Sequence, residues 1–276
     1  MPEVRIVFSD LDDTFLARDK SIPAENMAAL VRLAERGVPF VPCTGRSFLA
    51  IPEVLRTHPA TRLSVACSGA VAYDRAGSVV WHRAVGRERA LALFEVVRDL
   101  DVSFDVFADG SVFAERTRYE RMRGYGIDPT LLSLILSSRT PVDLDVPRIL
   151  ESTSLVERLG IFWRDGEAGA DDSRRVKAAV ESIPGMRWTS SSRFGIEIVD
   201  EEASKGEALA WVCAELGVPQ ECSVAFGDSP NDLEMLRAAG VGVAMGNASS
   251  EVKAASDDVC ATCDEAGVSG WLSARL

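Results

Sequence analysis

The feature that most limits the fold is a rhythm in which short apolar runs, each stopping at a polar loop, alternate with segments of helical spacing. Residues 4–8 form the first such run, which stops at Ser9-Asp10, the pattern of a buried strand feeding a functional loop. Over residues 24–36 apolar side chains recur at helical spacing (Met27, Leu30, Val31, Ala34), and Gly37 follows as a helix-ending glycine. A second strand is expected over residues 38–41, broken by Pro42 and followed by Thr44-Gly45-Arg46 and another helix. A third strand, residues 63–67, ends at Ser68-Gly69. Strands and helices in this succession indicate a parallel sheet wrapped by helices.

The rhythm changes near residue 80. Segments 102–108 and 111–114 flank Asp109-Gly110, a hairpin turn. Segments 155–163 and 186–190 read as strands on either side of a helix-like stretch at 172–183, while residues 139–145 are polar and turn-rich, as in a loop. The parallel rhythm returns after Asp200: a helix over 204–216 closed by Gly217, a strand over 223–226, a helix over 230–239 closed by Gly240, and a strand over 241–245. Motifs that look chemical fall before residue 70 and after residue 200. The expected fold is therefore α/β, with a Rossmann-like parallel core built from residues 1–80 and 188–276 and an inserted α/β domain at 81–187.

Composition narrows the partners. With 276 residues, 47% of them hydrophobic and 26% charged, the chain can bury a sizeable core without disulfides or structural metal. A net charge of −12 argues against nucleic acid or an anionic membrane surface, which demand a basic face. No apolar stretch approaches the ~18 residues of a membrane helix, and the N-terminal residues lack a leader pattern. A cytoplasmic protein, monomer or homodimer, is expected. Cys43, Cys67 and Cys213 lie in apolar runs, as reduced core residues do. The Cys260-Ala-Thr-Cys263 pair has no second pair beside it and is a weak zinc signal. His58 and His82 are the only histidines, so carboxylates must carry the chemistry.

Asp10-Leu11-Asp12-Asp13-Thr14 sits at the carboxyl end of the first strand, where ligands bind in parallel α/β sheets. Crowded acids are costly unless a cation neutralises them, and magnesium prefers such hard oxygen donors; an acidic surface turn is the alternative. Gly227-Asp228-Ser229-Pro230-Asn231-Asp232 follows another strand. Ser229, Pro230 and Asp232 suit a helix start, but capping does not explain Asp228 or Asn231. Two acidic loops after two buried parallel strands converge on one metal. Thr44-Gly45-Arg46 offers a hydroxyl and backbone N–H groups for phosphate, a weak signal outside this context. Lys205 lies at a helix start, where the helix dipole disfavours positive charge; it either answers a cluster of carboxylates and phosphate or is simply solvated.

With these four pieces in order, the chain resembles the haloacid dehalogenase superfamily, specifically Cof-type phosphatases with a type IIB cap. The phrases Cys67-Ser-Gly-Ala70, Gly195-Ile-Glu-Ile198 and Val243-Ala-Met-Gly-Asn247 add to the likeness, which spans nearly the whole chain. The resemblance implies that Asp10 attacks phosphorus and ligates Mg²⁺, and that Asp12 is the acid–base residue while its backbone carbonyl binds the metal. It implies that Asp228 and Asp232 are further metal ligands, that Asn231 orients their loop, and that Thr44, Gly45 and Lys205 hold phosphoryl oxygens. Segment 81–187 becomes a cap that governs specificity, with Arg116, Arg118, Arg121 and Arg123 as either anion contacts or a solvated helix face. The expected substrates are small phosphomonoesters, sugar phosphates among them. A phosphomutase or phosphotransferase is the alternative with the same active-site residues, and a catalytically silent sugar-phosphate sensor the alternative without chemistry.

Overall fold

Ile6–Ser9 is buried along its whole length, as befits an interior strand of a parallel sheet covered on both faces. In the computed structural model, which describes residues 3–275, that sheet has five strands in the order Asp258–Val259, Val241–Ala244, Ser223–Gly227, Ile6–Ser9 and Phe40–Pro42. Every pairing in it is parallel. Ser9 lies opposite both Phe226 and Pro42, so three adjacent strands release their loops at one edge. Beneath them Ile6, Phe8, Val41, Val65 and Ala225 pack with Leu209, Val212 and Leu236 from the helices Lys205–Glu215 and Leu233–Ala238.

The helix expected after Thr44-Gly45-Arg46 is much reduced. It survives as a turn over Phe48–Ala50 and a single helical turn over Glu53–Arg56, because Pro52 between them lacks an N–H to continue a ladder. Leu63–Ala66 reaches Phe40–Pro42 only through the isolated parallel bridges Phe40 to Thr61 and Cys43 to Val65. Its full pairing is antiparallel, with Val71–Asp74.

Two compact units result, one made of His82–Glu202 and the other of the chain on either side. The second unit has a six-stranded sheet in the order Met186–Ser192, Gly195–Asp200, Val156–Phe162, Asp105–Ala108, Ser111–Glu115 and Thr140–Val142. The sequence-based boundary at 187/188 cuts through this sheet. Gly195–Asp200 pairs antiparallel with Met186–Ser192 on one side and Val156–Phe162 on the other, which keeps the segment to Glu202 in the second unit. The loop expected over 139–145 contains the edge strand Thr140–Val142, parallel to Ser111–Glu115; Pro141 is tolerated there because an edge has a free side. Asp109 and Gly110 both take positive φ, 51° and 77°, the geometry of the tight hairpin read from the sequence.

Alternation sorts the faces of this second sheet. Val106, Leu159, Ile161, Ile196 and Ile198 face one way and pack with Leu93, Ile149 and Val176 of the covering helices. Phe162 faces the other way and joins a smaller cluster around Met122, Tyr125 and Leu136. The four arginines of 116–123 are committed locally. Arg118 is buried and donates to the carbonyls of Val102 and Arg98, while Arg116, Arg121 and Arg123 pair with Asp143, Asp101 and Glu120. All six cysteines are free. Among the described residues, no helix is long and apolar enough to cross a membrane.

Candidate active site

The parallel register builds the site. Asp10 follows Ser9 and anchors its N–H on the Phe226 carbonyl at 2.9 Å. Asp228 follows Gly227 on the neighbouring strand, and the Cys43 N–H donates to the Ser9 carbonyl at 2.8 Å, bringing Thr44 to the same edge from the other side. Carboxylate oxygens of Asp10, Asp228 and Asp232 lie within 4.8 Å of one another.

Lys205 enters this acidic cluster from the start of its helix. Its Nζ donates to Asp10 Oδ1 and to Asp232 Oδ1, both at 2.6 Å, and its side chain is fully buried. Burial opposes the ammonium charge, but Asp10 and Asp232 outweigh it and hold Lys205 above the ordinary lysine range. That position depends on a close backbone approach. Gly69 has φ +94°, and a Cβ there would lie 2.2 Å from the backbone of Ser204, so only glycine fits beneath the start of the Lys205 helix.

Each carboxylate has distinct partners. Asp232 Oδ2 accepts from the N–H groups of Asp228 and Ser229, both at 3.0 Å. Asp228 accepts from the hydroxyls of Thr14 at 3.0 Å and Ser229 at 3.1 Å. Asp12 turns away from the cluster into a two-pronged contact with Arg46, Nε to Oδ2 at 2.8 Å and Nη2 to Oδ1 at 2.7 Å. Burial pushes the Asp12 carboxyl up, yet the hydrogen bonds and charge of Arg46, with the charge of Lys20, hold it below the usual range. Thr44 is buried and accepts from the Arg46 N–H at 3.2 Å. Gly45 is half-buried beside it.

The donor set fits a hard divalent cation. Three carboxylates face a single lysine, and the imbalance contributes to the raised pKa of Asp10 and Asp228. Burial, reinforced by Asp232 and Asp228 against the opposing Lys205, raises Asp10 to about 8. Burial and the charge of Asp232 raise Asp228 to about 6. A bound cation removes both penalties.

The structure thus brings together Asp10, Asp228, Asp232 and Lys205, with Thr44 and Gly45 at the same sheet edge. It places the Asp12 carboxylate outside the acidic cluster. Asn231 is exposed, and among the described residues its side chain has no hydrogen-bond partner; Thr14 and Ser229 are the groups that hold Asp228. Three contributors went unassigned in the sequence: Thr14, Arg46 as the partner of Asp12, and Gly69. Thr14 and Arg46 each lie inside a motif already singled out, which was the available signal. Asn247 is a fourth, its side chain tying the Asp13 carbonyl to the Cys263 N–H at 2.8 and 2.9 Å.

Comparisons with known proteins place this geometry in a class. The sequence matches the model for haloacid dehalogenase-like hydrolases over residues 7–272. It is 26% identical to Phosphatase YwpJ of Bacillus subtilis (strain 168), covering 99% of this chain and 100% of that one. It is 29% identical to Pyridoxal phosphate phosphatase YbhA of Escherichia coli (strain K12), covering 91% and 90%. Its fold is similar to that of a solved sugar phosphatase of haloacid dehalogenase subclass IIB, with a TM-score of 0.78 at 20% identity over 98% of each chain. The chain belongs to the haloacid dehalogenase-like hydrolase family, and these two sequence relatives are both named as phosphatases.

Proposed function

We propose that this enzyme is a Mg²⁺-dependent phosphatase that hydrolyses small phosphomonoesters, sugar phosphates among them, through an aspartyl-phosphate on Asp10. The observation that carries the reading is the convergence of Asp10, Asp228 and Asp232 on one point with buried Lys205 bridging two of them. Asp10, Asp228 and Asp232, with the main-chain carbonyl of Asp12, would hold the metal. When bound, the metal supplies positive charge against the repulsion between a carboxylate nucleophile and a phosphate dianion.

In the first step a carboxylate oxygen of Asp10 attacks phosphorus, the bond from phosphorus to the leaving oxygen breaks, and that oxygen takes a proton from Asp12. In the second, water attacks the phosphorus of the acyl phosphate, gives its proton to Asp12, and inorganic phosphate leaves as Asp10 is restored. One carboxyl group serves as acid and then as base. Lys205, the Thr44 hydroxyl and the Gly45 N–H hold phosphoryl oxygens in a transition state governed by charge and position. In the free enzyme Arg46 holds the Asp12 carboxyl ionised and turned from the cluster, so Asp12 must leave this contact and take up a proton before it can serve as the acid.

Three named features of relatives support the substrate class. Pyridoxal phosphate is the substrate in the name of the E. coli relative, a phosphorylated ribitylamino-uracil in that of another B. subtilis relative, and a sugar phosphate in the solved structure's description. The test is phosphate release from a panel of such esters with Mg²⁺, alongside EDTA and Asp10→Asn. Release that disappears in both controls is expected, with ³²P from a labelled ester trapped on the wild-type chain by acid quench. Release that persists in Asp10→Asn sinks the covalent route, and phosphoryl transfer to an added sugar in place of water marks a transferase.

A further inference from the structure

The second unit carries a cavity of its own, lined by two glycines, Gly160 and Gly195. Asp105, Gly160 and Glu197 stand in one row across three adjacent strands. On the same strand Arg158 and Phe162 flank Gly160 at the two-residue spacing that shares a face. A residue without a side chain at the centre leaves a hollow of about 40 Å³, and glycine inside a strand marks a place of close approach. Phe107, directly opposite Arg158, and Arg139 complete the wall.

The two arginines are unusually enclosed. Their side chains are 5% and 9% exposed for Arg158 and Arg139. Arg139 donates from Nε to Asp105 Oδ2 at 2.9 Å, and from Nη1 to the Ile135 carbonyl at 2.8 Å. Arg158 stacks on the Phe107 ring at 3.9 Å and lies against the Glu197 carboxylate. Its Nε, however, has no hydrogen-bond partner among the described residues. Buried N–H donors are nearly always satisfied; Arg158 Nη1 and the acceptor Asp105 Oδ1 are buried without a hydrogen-bond partner as well, and because Arg158 lines the hollow, an oxygen acceptor entering there would meet its guanidinium group. Glu197, at 25% exposure, is the more exposed of the two acids, Asp105 being fully buried.

The geometry points to an oxyanion site in the second unit, where a carboxylate or phosphate group of a small ligand binds Arg158 beside Gly160 and displaces Glu197 from it. Planar pairing of a guanidinium with an oxyanion supplies both strength and direction. Phe107 and Phe162 give the rest of such a ligand an apolar wall. Carboxylate and phosphate groups are recognised there by the same chemistry.

The test follows the arginine Nε–Hε signals of ¹⁵N-labelled full-length protein by NMR in the presence of EDTA. The Arg158 signal is the one lost in Arg158→Lys. Titration with malonate, and separately with inorganic phosphate, is expected to move it saturably, with the same affinity in Lys205→Met. Glu197→Gln removes the competing carboxylate and should tighten binding, by about threefold to tenfold, an effect that misfolding cannot imitate. An unmoved signal, a shift given equally by neutral glycerol, or weaker binding in Glu197→Gln overturns the site. These readouts do not depend on phosphatase activity.

Discussion

Two buried ionic clusters, one in each unit, differ in their balance. In the parallel unit Lys205 alone faces Asp10, Asp228 and Asp232. In the antiparallel unit Arg139 and Arg158 face Asp105 and Glu197, one acid for each base. Excess negative charge in a desolvated place is stable only with another cation, so the first cluster is built to gain positive charge. The second is already neutral and gains nothing from a metal; it can accept an anion only by releasing an acid of its own. The presence of an imbalance, more than the number of charges, separates the two clusters.

The contrast breaks most directly at its single lysine. Lys205→Met is expected to lower phosphate release by about a hundredfold to a thousandfold. It should also destabilise the metal-free protein by about 3–5 kcal/mol, since breaking a buried pair leaves unpaired charge. Mg²⁺ should recover much of that stability, as read from urea midpoints with and without the ion; no recovery would mean that the acidic cluster does not bind it. Arg139→Leu tests the balanced side. With Asp105 left without its main partner, a loss of about 3 kcal/mol is expected at neutral pH, with no recovery by Mg²⁺.

Acidity sharpens the same comparison. Burial, opposed by Arg139 and then Arg158, leaves the Asp105 carboxyl above its ordinary value. The folded chain therefore holds that proton more tightly than the unfolded chain. Its contribution to stability is full below the ordinary carboxylate range and falls as pH rises through the raised value. The Arg139→Leu deficit should accordingly shrink in acid, measured as the midpoint difference between variant and wild type at pH 4 and pH 7. A deficit independent of pH would show that lost packing, not lost charge, is responsible. Smaller still is Gly69→Ala, expected to cost about 1–3 kcal/mol by forcing apart the Ser204 backbone and to weaken catalysis by shifting Lys205. Smallest is Arg116→Ala, which removes an exposed pair with Asp143 and should leave the urea midpoint within error.

Much of the parallel unit could be read from the sequence, because its chemistry is local. Asp10 and Asp228 each follow an apolar run by one or two residues, so recognising the strand also locates the carboxylate. Lys205 could be singled out because a positive charge at a helix start requires compensation. The contact of Arg46 with Asp12 was not legible, since it joins positions 34 residues apart through two loops. The second site was harder. Arg158, Gly160 and Glu197 alternate with apolar residues, as on any strand with one wet face. Whether that face is wet depends on Arg139 and Phe107, whose approach is set by the fold. The boundary at 187/188 failed for a related reason: pairing between strands, not a change of composition, holds residues to Glu202 in the second unit.

The order of strands in the parallel sheet also governs when the acidic cluster can be assembled. Ile6 lies opposite Ser223 and Ser9 opposite Phe226, so the strand carrying Asp10 is made about 217 residues before its inner neighbour. At about 5–20 residues per second, a nascent chain carries that apolar strand half-paired for roughly ten to forty seconds. The antiparallel unit is continuous in sequence and can fold meanwhile. A ribosome-bound chain stopped before Ser223 should therefore show a protected second unit and a protease-sensitive segment before it, leaving the parallel sheet unfinished until Ser223–Gly227 emerges and making it a natural client for chaperones.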